Sequence, residues 1–186
     1  MSAPVRPQAS AALFDTAIGV CAIAWSATGV LRFALPDRDP AATRSYILRR
    51  HRLVDVHEGE PTPDIAAAIT RIQTHLAGDL DDLRWIPLDT SPFNDFDRAV
   101  YAVTRAIDPG HTLSYGAVAH AIGAPGGAQA VGQSLGRNPI PLIIPCHRVL
   151  AADHALHGFS APGGLTTKQH LLEIERTPGF GEPTLF

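Results

Sequence analysis

The spacing of apolar residues in the first part of the chain is typical of β-structure. Residues 20–25 form a compact apolar run, and a turn at residues 27–29 separates it from a second run at residues 30–35. Short runs bounded by turn residues are typical of strands, so we predict β-structure from Leu13 to Leu35. Cys21 lies inside the first run and is predicted to be buried and inert.

Two helices are predicted after these strands. Asp39 and Pro40 supply an N-cap and a first-turn proline for a helix through Arg50. After a break at residues 59–63, apolar residues recur at helical spacing and predict an amphipathic helix that ends near Gly78. These residues are Ile65, Ile69, Ile72 and Leu76.

The same pattern predicts a mixed α/β protein of two domains. Residues 84–88 contain Pro87, which has no N–H to donate to a neighbouring strand, so we predict a short edge strand there. Residues 1–11 are rich in Ser, Ala and Pro and are predicted to be a flexible tail. We place a small α/β domain at residues 12–88 and a second domain at residues 89–186.

Helical spacing dominates the second half of the chain. A helix is predicted to begin at Ser91-Pro92, with one apolar face formed by Phe93, Phe96, Val100, Val103 and Ile107. Ser114 is a candidate N-cap for a helix over residues 115–122, and another helix is predicted over residues 127–135. Two short helices joined by a Gly/Pro turn are typical of a helix-turn-helix unit, but the pattern also fits an ordinary packed pair. A final helix carries Leu171 and Leu172 and ends near Glu175.

Composition and charge exclude only a few classes of protein. Of 186 residues, 45% are apolar and 18% are charged, which is ordinary for a globular protein. The formal net charge of −3 argues against nucleic-acid binding dominated by overall charge and leaves room for a small local basic footprint. No apolar run approaches membrane-spanning length, and residues 1–11 lack the apolar core of a secretory signal. Two cysteines cannot form a disulfide framework, so we expect free thiols in a reducing cytoplasm.

The strongest chemical signal is the segment IPLIIPCHRV at residues 140–149. Cys146 follows a proline and precedes a histidine, at the end of an apolar run. A neighbouring histidine or the start of a helical turn can lower a thiol pKa towards neutrality, and Pro145 is suited to opening such a turn. A buried core cysteine is the alternative. The crowding of Pro145, His147 and Arg148 around the thiol favours a reactive nucleophile.

This segment resembles the signature of the alkylguanine-DNA alkyltransferases, the methylated-DNA–protein-cysteine methyltransferases. The resemblance extends in order over residues 92–176. It includes GHTLSY at 110–115, AVG at 130–132, GRNPIP at 136–141, PCHRV at 145–149, GFS at 158–160, GLTTK at 164–168, Leu171-Leu172 and Glu175. The first half resembles the family's ribonuclease-H-like domain more loosely, mainly through DTAIG at residues 15–19. The resemblance therefore implies an N-terminal ribonuclease-H-like domain followed by a helix-turn-helix, winged-helix-like alkyltransferase domain.

The resemblance implies direct reversal of DNA alkylation damage. An alkylated guanine is flipped out of the duplex into a pocket, since its reactive atom is inaccessible in the base stack. Cys146 attacks the alkyl carbon of 6-O-methylguanine, and of 4-O-methylthymine less well, leaving a thioether. Because a thioether is not hydrolysed in water, each molecule acts once, and no cofactor is needed.

The resemblance also implies the catalytic roles. His147 takes the thiol proton through a water, and Glu175 orients and stabilises the resulting imidazolium. Asn138 ties the helix-turn-helix to the active-site segment. Arg148 forms structural hydrogen bonds.

Further residues are implied to contact the base or the DNA. Tyr115 hydrogen-bonds the guanine and crowds its phosphate, Ser160 contacts the guanine 6-oxygen, and the carbonyls of Cys146 and Val149 accept from the exocyclic amine. Binding in the minor groove places small residues close to the DNA backbone. The residues of this DNA-facing set are Ala128, Gln129, Ala130 and Arg137. Gln129 occupies the position where the family usually has an arginine that fills the gap left by the flipped base.

Two other functions stay open at this point. One is a non-enzymatic module that flips and flags lesions for another pathway, although Cys146 argues against the binding-only relatives in which this residue is replaced. The other is a papain-type cysteine hydrolase. The adjacent His147 argues against it, because that class places its histidine far from its cysteine in sequence. Some relatives hold a structural zinc in the first domain, but Cys21 has no cysteine partner, so no metal is expected. A monomer that binds double-stranded DNA is expected.

Overall fold

The computed structural model describes residues 8–49 and 54–181. Its first part is a four-stranded mixed sheet with the strand order β3-β2-β1-β4. The strands are β1 (Gln8–Thr16), β2 (Gly19–Trp25), β3 (Val30–Ala34) and β4 (Asp55–Glu58). β1, β2 and β3 pair as antiparallel neighbours, whereas β4 lies parallel to β1. The predicted mixed α/β class is therefore correct.

Two helices accompany the sheet, and the first of them begins as the sequence predicts. Helix α1 (Pro40–Leu48) has Asp39 as its N-cap, and the Asp39 side chain accepts from the N–H of Ala42. Helix α2 (Pro63–Leu76) begins after Thr62, whose hydroxyl accepts from the N–H of Ile65. A proline opens each helix, where its missing N–H would have had no partner.

Two predictions about the first half are wrong. The predicted tail is wrong for residues 8–11, which belong to β1, because Ala9 and Ala11 are buried against the sheet's second face. Residues 1–7 of that tail, and Arg50 at the predicted end of α1, lie outside the described residues. The predicted edge strand at residues 84–88 is wrong, since the segment turns and contributes only one bridge, between Leu88 and Val30.

The second part of the chain is mainly helical. It contains α3 (Asp95–Arg105), α4 (Tyr115–Ala121), α5 (Ala128–Gly136) and α6 (Gly164–Ile174). Helix α3 begins three residues later than predicted, because the Asn94 side chain caps it by accepting from the N–H of Asp97. Ser114 caps α4 as predicted, by accepting from the N–H of Ala117.

A short parallel pair of strands connects α4 to the cysteine segment. Strands β5 (Leu113–Ser114) and β6 (Val149–Leu150) pair Leu113 with Val149 and Ser114 with Leu150. Tyr115 directly follows β5, and Cys146 lies three residues before β6. This pairing therefore brings two predicted site residues from distant parts of the sequence to the same place.

One hydrophobic cluster runs through both halves of the protein. It includes Phe33 from the sheet, Ile72 from α2, Val100 from α3 and Ile140 next to the cysteine segment, and each of these is fully buried. A smaller cluster around Ile47 lies on the other face of the sheet. No helix of the described part of the chain is long and apolar enough to span a membrane.

Candidate active site

Cys146 begins a single 3₁₀ turn that leads directly into β6. The turn spans Cys146–Arg148 and follows Pro145, as the sequence predicts. The N–H of Cys146 donates to the carbonyl of Ile144 at 2.7 Å, and the N–H of Arg148 donates to the carbonyl of Pro145 at 2.9 Å. The backbone around the thiol is thereby fixed on both sides, and only 8% of the cysteine is exposed.

Asn138 fixes the segment that precedes the thiol. Its Nδ2 donates to the carbonyl of Ile144 at 2.8 Å, and its Oδ1 accepts from the N–H of Ile140 at 3.0 Å. The N–H of Ile144 also donates to the carbonyl of Ile140 at 2.8 Å. The turn from Ile140 to Ile144 is therefore held both by this backbone hydrogen bond and by the Asn138 side chain. Leu142 within this turn has φ +72°, a strained conformation for a residue with a side chain. Asn138 thus connects the end of α5 to the cysteine segment, as the resemblance implies.

Two cavities meet at Cys146. The first, about 400 Å³, is lined by Tyr115, Gly132, Cys146 and Ser160 among others. The second, about 290 Å³, is lined by Cys146, Asn138 and Ser160 and extends to Asp37 and Tyr46 of the first half. Phe159 and Ser160 border both cavities. Cys146 therefore borders both cavities, and so does the loop that carries Ser160.

A buried carboxylate lies behind the thiol. Glu175, at the C-terminal end of α6, has Oε1 3.0 Å from His147 Nε2 and 2.7 Å from Arg148 Nη2, and its Oε2 accepts from Arg148 Nε at 2.9 Å. Arg148 Nη1 also donates to the carbonyl of Ile107 at 2.5 Å. His147 and Arg148 are completely buried, and Glu175 is 2% exposed. The structure thus brings together the predicted nucleophile, base and orienting acid.

The hydrogen-bond partners define the protonation of this group. Burial by itself would raise the pKa of Glu175, but His147, His75 and Arg148 outweigh it and hold the pKa well below its ordinary value. Burial lowers the pKa of His147, although the nearby Glu175 carboxylate opposes this shift. His147 is therefore neutral, its Nε2–H donates to Glu175, and its buried Nδ1 has no hydrogen-bond partner among the described residues. An unprotonated Nδ1 can accept a proton.

The thiol itself differs from the sequence prediction. Burial raises the pKa of Cys146, and hydrogen bonding from Asn138, the charge of Lys168 and the backbone N–H groups only partly offset this effect. The expected lowering of its pKa towards neutrality is therefore wrong for the protein without substrate. The turn and the histidine are both present, but burial of the sulfur outweighs them. Cys146 is a thiol at neutral pH and needs a base when it reacts.

Cys21 has a different environment. It is completely buried in β2, and burial raises its pKa to about 12, with only a weak contact to the Thr16 hydroxyl opposing the shift. The sequence prediction that Cys21 is buried is confirmed. Such a thiol stays protonated and has no access to either cavity described above.

Lys168 and Tyr115 lie next to each other near the thiol and contact the same backbone carbonyl. Lys168 of α6 is completely buried, and its Nζ donates to the carbonyls of Val149 at 2.8 Å and His157 at 3.2 Å. This ammonium lies 5.8 Å from the centre of the Tyr115 ring, and the Tyr115 hydroxyl donates to the His157 carbonyl at 3.3 Å. Burial lowers the pKa of Lys168 to about 8. The Val149 carbonyl already accepts from Lys168 and has a second lone pair available.

Three of the four predicted DNA-facing residues lie outside the two cavities at the thiol. Gln129 and Ala130 are exposed in the first turn of α5, Ala128 is half-buried, and none of the three lines the two cavities. Arg137 follows α5 and lines the second cavity, where its Nη2 lies 2.9 Å from Asp97 Oδ1. Its charge is therefore already paired within the protein.

Two buried residues of this site are absent from the sequence prediction. Lys168 was identified only as part of a motif, without a role. His75 of α2 was not identified at all, yet its Nε2 lies 3.2 Å from Glu175 Oε1. No local pattern around His75 indicates this contact, since the two residues are 100 positions apart. Among residues 8–49 and 54–181, no group of three or more His, Cys, Asp or Glu side chains could hold a metal ion.

Comparison with known proteins places this geometry in a family. The profile of the 6-O-methylguanine DNA methyltransferase DNA-binding domain matches residues 95–177, which include Cys146, His147 and Glu175. The methylated-DNA–protein-cysteine methyltransferase of Mycobacterium tuberculosis is 41% identical over 128 residues, covering 67% of this chain and 75% of the relative. The chain belongs to the methylated-DNA–protein-cysteine methyltransferase family.

Further relatives extend the likeness to most of the fold. The family member of Mycolicibacterium paratuberculosis is 42% identical over 121 residues, covering 65% of this chain and 71% of the relative. The crystal structure of Mycobacterium tuberculosis OGT in complex with DNA superposes with a TM-score of 0.70 at 30% identity, covering 91% of this chain and 95% of that one. The methyltransferase family resemblance found in the sequence is thereby confirmed.

Proposed function

We propose that this protein repairs alkylated DNA by transferring the alkyl group of 6-O-methylguanine, and less efficiently of 4-O-methylthymine, to Cys146. The observation that carries the proposal is a nearly buried thiol between two cavities, backed by the His147–Glu175–Arg148 group. Membership of the methyltransferase family supports the same reaction class.

The proposed step is a single displacement. The sulfur of Cys146 forms a bond to the alkyl carbon while the bond from that carbon to the guanine 6-oxygen breaks. The electron pair of the broken bond goes to the guanine, which takes up a proton from water and stays in the DNA as normal guanine. The thiol proton passes through a water to Nδ1 of His147, and Glu175 stabilises the resulting imidazolium. The product is a thioether, so each protein molecule reacts once.

The first cavity is the proposed base-binding pocket. Tyr115 and Ser160 line it together with Cys146, which supports their assignment to the guanine, and the second lone pair of the Val149 carbonyl is available to the exocyclic amine. Base flipping would deliver the guanine into this pocket. Lys168 holds the wall of the pocket by bonding the carbonyls of Val149 and His157.

Double-stranded DNA is the proposed partner, bound in the minor groove by a helix-turn-helix unit. Helices α4 and α5 pack together and are joined by a turn at Gly123–Gly127, which supports this assignment. Ala128, Gln129 and Ala130 lie at the start of α5, where small or exposed residues allow close approach to DNA. The strand order β3-β2-β1-β4 supports a ribonuclease-H-like first domain, and the winged-helix-like character of the second domain stays a prediction. The domain division, the monomeric state and the cytoplasmic location stay predictions.

Intact mass tests the function directly. The full-length protein is incubated with a duplex that contains one 6-O-methylguanine, and we expect the mass of the protein to rise by one methyl group. Peptide mapping should then locate the methyl on Cys146, and Cys146→Ala should bind the duplex without gaining mass. A methyl on Cys21 would overturn the site assignment. Duplex binding without any mass gain in the wild-type protein would instead favour the lesion-flagging module.

A further inference from the structure

His75 connects α2 of the first half to the catalytic carboxylate. Its side chain is fully buried, and its Nε2 lies 3.2 Å from Oε1 of Glu175. On the other side of the ring, Nδ1 accepts from the backbone N–H of Asp81 at 3.1 Å. The imidazole is thus held between a fixed donor and a fixed acceptor.

These two partners determine the tautomer of His75. Because Nδ1 accepts a hydrogen bond from the Asp81 N–H, the ring proton lies on Nε2 and is donated to Glu175. Oε1 of Glu175 then receives three donors, from His147, Arg148 and His75, whereas Oε2 receives one from Arg148. A carboxylate oxygen shared by three donors is fixed in its rotation and divides its electron density among them.

We propose that His75 is a positioning residue for the alkyl-transfer reaction, acting on His147 through Glu175. The inference rests on the proposed function, since it concerns the rate of that transfer. His75 holds the Glu175 carboxylate in the orientation that faces His147. It also limits how strongly Oε1 can accept from His147.

The charged groups around Glu175 are few, so the effect of the His75 hydrogen bond on His147 can be isolated. The groups that face Glu175 are His147, Arg148 and His75. The Asp81 carboxylate beside His75 is paired with Arg71 and accepts from the N–H of Leu83, so it does not compete for the imidazole. Loss of the His75 donor should therefore let Oε1 accept more strongly from His147. His147 would then take up a proton more readily in the resting protein, where a protonated ring cannot act as a base.

Two substitutions test the two hydrogen bonds of the His75 ring separately. His75→Gln keeps an amide N–H at the place of Nε2 and can still donate to Glu175. His75→Asn keeps an acceptor at the place of Nδ1 for the Asp81 N–H but is too short to reach Glu175. Single-turnover transfer from a methylated duplex is measured for both variants and the wild type across pH.

The expected results differ between the variants. His75→Asn should react about tenfold more slowly, the equivalent of one net hydrogen bond of about 1.4 kcal/mol, and its acidic limb should move to higher pH. His75→Gln should stay within about twofold of the wild-type rate, which is under about 0.5 kcal/mol, with an unchanged limb. Equal rates and limbs in all three proteins would overturn the inference. Equal slowing of both variants with an unmoved limb would also overturn it, because packing alone would explain that outcome.

Two further measurements serve as controls for this experiment. In a Glu175→Gln background, His75→Asn should have little additional effect on the rate, whereas an undiminished effect would show that His75 does not act through Glu175. If His75→Asn does not fold, the ring nitrogen NMR signals of the wild-type protein still decide the matter, since a proton on Nδ1 of His75 would contradict the proposed donation. A wild-type protein that gains no methyl group would refute the proposed function, whereas unaffected transfer in the variants would refute only the role of His75.

Discussion

Glu175 receives four hydrogen bonds while it is almost completely withdrawn from water. Arg148 supplies two of them and neutralises the carboxylate, and His147 and His75 supply one each. A buried charge is tolerated only when it is paired and fully hydrogen-bonded, so this group depends on all its members. The same arrangement leaves Nδ1 of His147 unprotonated, as the proposed proton relay from Cys146 to His147, stabilised by Glu175, requires.

Substitutions in the relay should slow transfer without preventing DNA binding. His147→Ala removes the base, and general-base assistance is typically worth about 10²–10⁴-fold. Glu175→Gln removes the charge that stabilises the imidazolium and should also slow single-turnover transfer markedly. It leaves Arg148 buried without a counter-charge, so urea unfolding should show a loss of about 3–5 kcal/mol. His170→Ala, which alters an exposed histidine of α6, serves as the control. If both relay variants react within about threefold of the wild type, a loss under about 1 kcal/mol, the relay is wrong.

The stability of the protein should depend on pH in two separate ranges. The pKa of His147 is lowered by burial, so below the ordinary histidine value of about 6.5 the unfolded chain binds a proton that the folded chain does not. The free energy of unfolding should therefore fall as the pH drops below about 6.5. The lowered pKa of Glu175 adds stability above its ordinary value of about 4.3, which is lost as the pH falls further.

Urea unfolding between pH 2 and pH 8 checks both ranges. His147→Gln should flatten the dependence just below pH 6.5 and leave the more acidic loss in place. His120→Gln, at an exposed position of α4, should leave both ranges unchanged. A wild-type stability that stays constant from pH 7 to pH 5 would contradict the buried neutral state of His147.

For single residues, the sequence predicts the features that depend on adjacent residues in the chain. Cys146, His147 and Pro145 are adjacent, so their motif could be recognised without the fold. The thiol pKa was predicted in the wrong direction because burial depends on distant parts of the chain, which enclose the sulfur. The contact between His75 and Glu175 was not predictable, since nothing in the residues around His75 differs from an ordinary helix end.

The elements of the second half follow local signals more closely than those of the first. Ser114 caps α4 and α5 lies within one residue of its predicted bounds, because capping side chains and helical spacing are local properties. β4 was not predicted, since four residues, two of them exposed, carry little apolar pattern and depend on pairing with β1. The prediction of a strand at 84–88 is wrong for the converse reason. Trp85 and Ile86 fit a strand by composition, but among the described residues the segment pairs only through the bridge from Leu88 to Val30.

The start of α5 offers a direct test of DNA binding. Gln129 is exposed there and carries no charge, in a chain whose net charge is −3. Gln129→Arg should tighten binding to a methylated duplex and make that binding more dependent on salt, as one added phosphate-directed cation does. Transfer from the free methylated base should be almost unchanged, because that substrate needs no flipping.

A second arginine variant supplies the control for this prediction. Gln133→Arg adds the same charge one turn further along α5, also at an exposed position, and should affect flipping less. The prediction fails if Gln129→Arg leaves duplex affinity and its salt dependence unchanged. It also fails if Gln129→Ala does not impair repair of the duplex. Arg137, whose guanidinium is paired with Asp97, would then be the next residue to test.

The whole molecule shares one main core. Ile72 of α2 and Leu171 of α6 belong to the same buried cluster, although the sequence predicts two separate domains. Contacts of this kind couple the stability of two segments, because neither can expose its apolar face without disturbing the other.

Ile72→Ala should therefore weaken both halves together. Truncating a buried isoleucine typically costs about 2–5 kcal/mol, and hydrogen exchange should show the loss in the amides of α6 as well as in those of α2. Leu165→Ala, at an exposed leucine of α6, should change exchange very little. Loss of protection confined to α2 would mean that the halves open independently.

The contact between His75 and Glu175 also limits how far this protein can be shortened. A fragment that begins at residue 89 would keep Cys146, His147 and Glu175 and all the residues proposed to bind DNA. It would lose α2, so the carboxylate would lack one of its donors and the apolar side chains that packed on Ile72 would face water. Such a minimal protein would need a new donor at the place of the His75 ring and polar replacements on the uncovered face. The catalytic half is therefore not a self-sufficient part for protein engineering, even though it carries the whole signature of the family.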